Sequence, residues 1–180
     1  MKHYRVLTLE DIQAFPLPEM AEDSVLMLWR VASMQQEALD VIDAWGFKHK
    51  TEIVWDKRLL CRDCGGLGST LGPPLNGDVM VRLAEECERC GGEGDVPWFG
   101  MGWQVRGGHE TCLIATRGRN IRQDASVSSV FRARGGRHSE KPGEFYDIVE
   151  RLYPGPYHEL FARRSRDGWT CEGDEIDDQG

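Results

Sequence analysis

A chain of 180 residues, 40% apolar and 29% charged, is long enough for one globular domain with a sizeable core and too short for two full ones. It has no run of roughly eighteen apolar residues, and its opening MKHYRVLTLEDIQAF lacks the charged-then-apolar layout of an export signal. Membrane insertion is therefore not indicated, a cytoplasmic protein is expected, and the net charge of −8 excludes a surface that grips nucleic acid by charge alone.

The first apolar run, SVLMLWRVA from Ser24 to Ala32, is bounded by polar residues, as in a strand buried on both faces. In MQQEALDVIDAWGF the positions Met34, Ala38, Val41, Ile42 and Trp45 recur at helical spacing, and Gly46 stands where a left-handed cap is needed. HKTEIVWDK then resumes as a strand. From Leu60 to about Gly102 this rhythm stops, and Gly, Pro and Cys take over. A strand is expected at ETCLIATRG. The stretch from Arg117 to His138 carries Arg117, Arg119, Arg122, Arg132, Arg134 and Arg137 against the single acid Asp124, and reads equally as a phosphate-facing or a solvated loop. In KPGEFYDIVERLY, Phe145, Ile148, Val149 and Leu152 share one helical face and Pro142 suits the first turn; YHELFAR closes as a strand. This order is that of an α/β sheet with crossover helices, which places ligands beyond the carboxyl ends of its strands.

Within the interruption, CRDCGG begins at Cys61 and CERCGG at Cys87. Cys61, Cys64, Cys87 and Cys90 have the spacing of four-thiolate ribbons and knuckles, and the following glycines let backbone amides turn toward the sulfurs. A closed sulfur shell leaves no position for water or substrate, so zinc here is expected to be structural. Redox dithiols and a metal-free fold are the alternatives. Cys112 and Cys171 stand alone as ordinary thiols.

The segments AWGF, IVWDK, GMGWQVRGGHETCLIATRG, RHSEKPGEFYDIVERLYPGPYHELFAR and GWTCEGDE occur in one order. Together they resemble the adenine methyltransferases named after the seventy-kilodalton subunit of the messenger-RNA adenosine methyltransferase, closest to the phage and prophage DNA-modifying branch. The resemblance implies an N-terminally incomplete Rossmann-like fold formed by residues 1–59 and 103–180, with a zinc knuckle or ribbon inserted at 60–102. It also implies S-adenosylmethionine as cofactor and methyl transfer to the 6-amino group of adenine in DNA. His138, Ser139, Lys141 and Arg163 are then expected around the cofactor, where a lysine can hold a carboxylate by charge-assisted hydrogen bonds. Asp174 and Glu175 are expected at its ribose, although GDE replaces the family's G-N-E or G-N-Q and so removes a donor. Tyr4, Trp103, Arg106 and Glu110 are expected around the target base, since an extruded adenine needs an aromatic face and polar edge contacts. Outside that context Lys141 reads as a solvated lysine and Trp103 as a core residue.

The family tetrapeptide D-P-P-W, which accepts hydrogen bonds from the target amine, does not occur; the only Pro-Pro pair is Pro73-Pro74 in LGPPLNG. No catalytic residue is therefore nominated. The chain reads as beginning one strand late. The catalytic strand is expected upstream of Met1, on a partner in a homo- or hetero-oligomer, or lost in a degenerate relative. An edge left unpaired in this way would favour association and weaken cofactor binding. Two other function classes stay open: a non-catalytic nucleic-acid-binding partner, and a zinc-knuckle interaction module.

Overall fold

A computed structural model describes residues 7–74, 82–102, 104–136, 140–173 and 176 of the protein. Helix α1 (Leu9–Gln13) starts at a capping box in which Thr8 and Asp11 each accept the other's backbone N–H. Strand β1 (Ser24–Arg30) leads through α2 (Gln35–Ala44) to the long β2 (Lys48–Leu60). Strands β3 (Ser69–Pro74), β4 (Arg82–Glu86) and β5 (Asp95–Pro97) make up the interruption. Then follow β6 (His109–Arg117), β7 (Val130–Arg134), α3 (Gly143–Leu152), β8 (Tyr157–Leu160) and β9 (Trp169–Glu172).

The main sheet has the order β1-β6-β2-β5 with β7 beside β2; β3 and β4 form a separate antiparallel pair, and β8 and β9 a parallel one. The α/β alternation expected from the sequence is present, but the sheet is mixed. Both neighbours of β6 are antiparallel to it. The reason is topological: α2 carries β1 over to a parallel course in β2, whereas among the described residues no helix lies between β2 and β6 to bring the chain back.

Alternation along the strands divides two apolar layers. Leu26, Leu28, Leu113 and Ala115 face α2, where Ala38, Val41 and Ile42 are buried with Trp45 and Phe47. Val25, Met27, Trp29, Cys112 and Ile114 face α3, against Phe145, Val149 and Leu152. Helices thus cover both sides of one sheet.

Some expectations need correction. All residues of β1 are half-buried rather than buried, because among the described residues β1 pairs with β6 alone and forms the sheet edge. Pro142 is the N-cap, with extended backbone (ψ 149°), and gives its carbonyl to the N–H of Phe145 instead of occupying the first turn. The interruption is also less separate than its composition implies. Strand β2 runs on to Leu60, and β5 returns to the same sheet by pairing Asp95–Pro97 with Arg58–Leu60. Gly46 does adopt the expected left-handed cap, φ +77°.

Candidate functional site

The two cysteine turns are built alike. The Cys64 and Cys90 sulfurs each accept a backbone N–H at 3.3 Å, from Gly68 and Gly94 respectively. The turns also lock reciprocally: the N–H of Cys61 donates to the Gly94 carbonyl and that of Cys87 to the Gly68 carbonyl. Gly68 and Gly94 are left-handed, and a Cβ on them would stand 2.2 Å from the Gly92 oxygen and 2.5 Å from the Gly66 oxygen. This close approach explains why a glycine also stands at the eighth position of each C-x-x-C-G-G-x-G.

The outcome is four Sγ atoms within 4.8 Å of one another, with Cys61 to Cys87 and Cys64 to Cys90 both 3.7 Å apart. Zinc–sulfur bonds of about 2.3 Å in a tetrahedron put the sulfurs about 3.8 Å apart, so the donor set fits zinc. Burial opposes ionisation of Cys64, yet the amides of Gly68 and Gly66 bring it down; burial and the neighbouring thiols push Cys90 up. As thiolates, four sulfurs packed this closely would need a cation among them.

Arg58 of β2 fastens this module to the sheet. Only 7% exposed, it pairs with Asp95 at 2.7 Å and Glu93 at 2.6 Å, and Arg132 joins Glu93 at 3.1 Å. The adjacent residue, Lys57, belongs to a second cluster. Its ammonium lies 2.6 Å from Glu110, whose other carboxylate oxygen is 2.5 Å from Lys141. Glu110 opens the antiparallel β6, and Trp29 lies near the carboxyl end of β1, so the cluster occupies the sheet end where ligands are expected. Tryptophan faces enclose the cations: Lys141 is 4.4 Å from the Trp29 ring, and Lys57 is 4.7 Å from Trp55 and 4.5 Å from Trp98. Burial alone would raise the Glu110 carboxyl, but the two lysines outweigh it and hold it below the usual range.

The carboxyl ends of β8 and β9 form the remaining part. Phe161, just after β8, has φ +60°, an uncommon conformation for an aromatic residue. Arg163 is half-buried beyond it. A Cβ on Gly173 would stand 2.1 Å from the Ala162 oxygen, so the two strand ends close on each other. Within β8, Glu159 accepts from the Tyr146 hydroxyl at 3.0 Å; burial raises its carboxyl, while Arg164, Arg166 and Lys141 oppose that rise. S-adenosylmethionine carries a carboxylate, a sulfonium and an adenosine. Lys141, whose charge reaches the Glu159 carboxyl, and that carboxylate offer complementary charges that fit such a ligand.

Of the sequence-nominated residues, Glu110 and Lys141 are brought into direct contact, although they were expected on the base and on the cofactor respectively. Arg106 is exposed and makes no ion pair among the described residues. Tyr4, Trp103, His138, Ser139, Asp174 and Glu175 lie outside the described residues. Lys57, Trp29, Trp55 and Trp98 were missed. The IVWDK segment held a signal for two of them, since a lysine two positions after a tryptophan projects from the same strand face. The arginine-rich stretch is largely occupied internally: Arg117 donates to the Met20 and Ala21 carbonyls, Arg119 pairs with Asp23, and Arg132 with Asp56 and Glu93. Three of the six arginines read as candidates for phosphates are thus engaged within the protein.

No helix among the described residues is long and apolar enough to cross a membrane. Residues 99–175, containing Glu110, Lys141 and the β8–β9 pair, match the MT-A70 family model. The chain is 23% identical over 178 residues to the N(6)-adenosine-methyltransferase MT-A70-like protein of Drosophila melanogaster, covering 97% of this chain and 24% of that one. It is 27% identical over 178 residues to the type II methyltransferase M.MunI of Mycoplasma sp, covering 97% and 60%. With the N(6)-adenosine-methyltransferase catalytic subunit METTL3 of Homo sapiens it shares 24% over 183 residues, covering 97% and 25%. The chain thus spans about a quarter of the adenosine methyltransferases and 60% of the type II enzyme. Residues 99–175 thus match the MT-A70 family model, and the chain as a whole is similar to MT-A70-like N(6)-adenosine-methyltransferases.

Proposed function

We propose that the protein serves the transfer of a methyl group from S-adenosylmethionine to the 6-amino group of adenine in DNA, on a Rossmann-like frame with a structural zinc module, the D-P-P-W acceptor that residues 1–180 lack being supplied from outside them. The observation that carries this reading is the Lys57–Glu110–Lys141 cluster enclosed by tryptophan rings at the ligand-binding end of the sheet. The likeness to a type II methyltransferase favours DNA as the nucleic acid.

When bound, the sulfonium supplies the methyl to the adenine nitrogen in one displacement. The chain's part is binding and orientation. Lys141 holds the carboxylate end of the cofactor and, through Glu110, ties it to the base pocket. Glu110, kept ionised by Lys57 and Lys141, presents acceptors to the adenine edge, and the tryptophan faces hold the ring. Zinc takes no chemical step, because its four thiolates close its shell.

The test is incubation of the full-length protein with S-adenosylmethionine and either DNA or RNA, followed by digestion and mass spectrometry. N6-methyldeoxyadenosine in the DNA is the expected result. Retention of DNA without methylation would replace this reading with that of a non-catalytic nucleic-acid-binding partner, and methylation of RNA alone would change the substrate.

A further inference from the structure

The loop spanning 98–108 connects β5 to β6 and rises from the proposed adenine pocket. Its base brackets Lys57: the N–H of Trp98 donates to the Lys57 carbonyl, and the N–H of Lys57 to the Gly108 carbonyl. Higher up, the N–H of Gly100 donates to the Gly107 carbonyl at 2.8 Å. Above that, Gly102 turns so tightly that a Cβ would stand 2.1 Å from the Val105 oxygen. The stem is therefore ordered by backbone pairing. The side chains it carries outward are apolar: Phe99 is 71%, Met101 94% and Val105 78% exposed. Single exposed apolar side chains are ordinary, but three of them within seven residues of a loop beside a ligand site need a partner. Arg106, exposed on the same loop, adds a positive charge.

We propose that Phe99, Met101 and Val105 form a wedge that enters double-stranded DNA and fills the space left by the extruded adenine. A base inside a duplex cannot reach a pocket until it is turned out of the stack, at the cost of its stacking and pairing. Apolar side chains inserted at the vacated step offset that cost. The exposed positive charge of Arg106 on the same loop suits a polyanion such as DNA. The inference rests on the adenine-pocket reading of Glu110 and Lys141, and it makes the protein's preferred substrate a duplex.

The experiment compares the full-length protein with a Phe99→Ser/Met101→Ser variant on native and on heat-denatured genomic DNA. Methyl transfer to native DNA is expected to fall about tenfold or more in the variant, while transfer to denatured DNA stays within about twofold, since no unstacking is then required. Unpairing is read separately, by permanganate oxidation of thymines in a bound random-sequence duplex pool. The wild type is expected to expose thymines and the variant not. Equal loss on both DNA forms, no loss on either, or no thymine exposure by the wild type would overturn the wedge. A changed oligomeric state of the variant with an unchanged native-to-denatured ratio would also overturn it, assigning the loop to a second copy of the chain. Thymine exposure without methylation by the wild type would keep the wedge and remove the methyltransferase reading.

Discussion

Glu110 carries the account at the scale of single residues, because one carboxylate accepts from two lysines drawn from different parts of the chain. Its carboxyl is depressed below the usual range, so its contribution to stability is present above the ordinary carboxylate value and is lost as pH falls through the lowered folded value. The difference in melting temperature between the wild type and Glu110→Gln is therefore expected to be largest near neutral pH, to shrink as pH falls below the ordinary value of about 4.3, and to vanish only below the lowered folded value. A difference that grows on acidification would contradict this. Gly68 makes a second prediction. With φ +76° and the Gly92 oxygen in the path of any Cβ, Gly68→Ala is expected to cost more than about 1 kcal/mol and to lower the zinc content per chain, read by atomic emission. At this scale the sequence was partly legible. Spacing and glycines were enough to nominate the four cysteines, whose sulfurs do converge. The contact between Glu110 and Lys141 was not legible, since 31 residues separate them and only the fold brings β6 against the start of α3.

Among the elements, β2 joins the two sites. Its successive residues Lys57 and Arg58 point in opposite directions, one to Glu110 and the tryptophans, the other to Glu93 of the second cysteine turn and Asp95 of β5. Removing Arg58 leaves acidic groups partly buried without their cation. Arg58→Met is therefore expected to destabilise the protein by ~3 kcal/mol and to speed amide exchange at Asp95–Pro97 and the cysteine turns ahead of α2 and β6. Uniform exchange across the chain would show that the module is not fastened through this residue. The apolar periodicities behind α2 and α3 were readable because each helix buries one stripe on the sheet. Strand pairing was not readable. The antiparallel entry of β6 and the return of β5 are decided by the connection between β2 and β6, whose Gly, Pro and Cys content hides three short strands. The half-buried state of β1 was equally hidden, because an apolar run does not reveal whether one or both strand edges are paired.

For the molecule as a whole, the proposed metal centre and the proposed binding cluster are both fixed to β2, through Arg58 and Lys57. Cadmium, which also favours four thiolates, is expected to replace zinc with the fold and turnover retained. Chelation is expected to lower the melting temperature and loosen the 60–102 segment, because metal binding free energy there is folding free energy. The family resemblance was legible across the chain from five ordered segments, and the match to MT-A70 over residues 99–175 agrees with it. The division of labour inside those segments needed the fold. The most direct test of the central claim is methyl transfer to adenine in DNA, measured side by side for the zinc-loaded wild type, the cadmium-substituted wild type and zinc-loaded Glu110→Gln. The account predicts turnover within about twofold on changing the metal and a loss of about a hundredfold or more on changing Glu110. Full turnover by Glu110→Gln, or turnover that follows the identity of the metal, would contradict it.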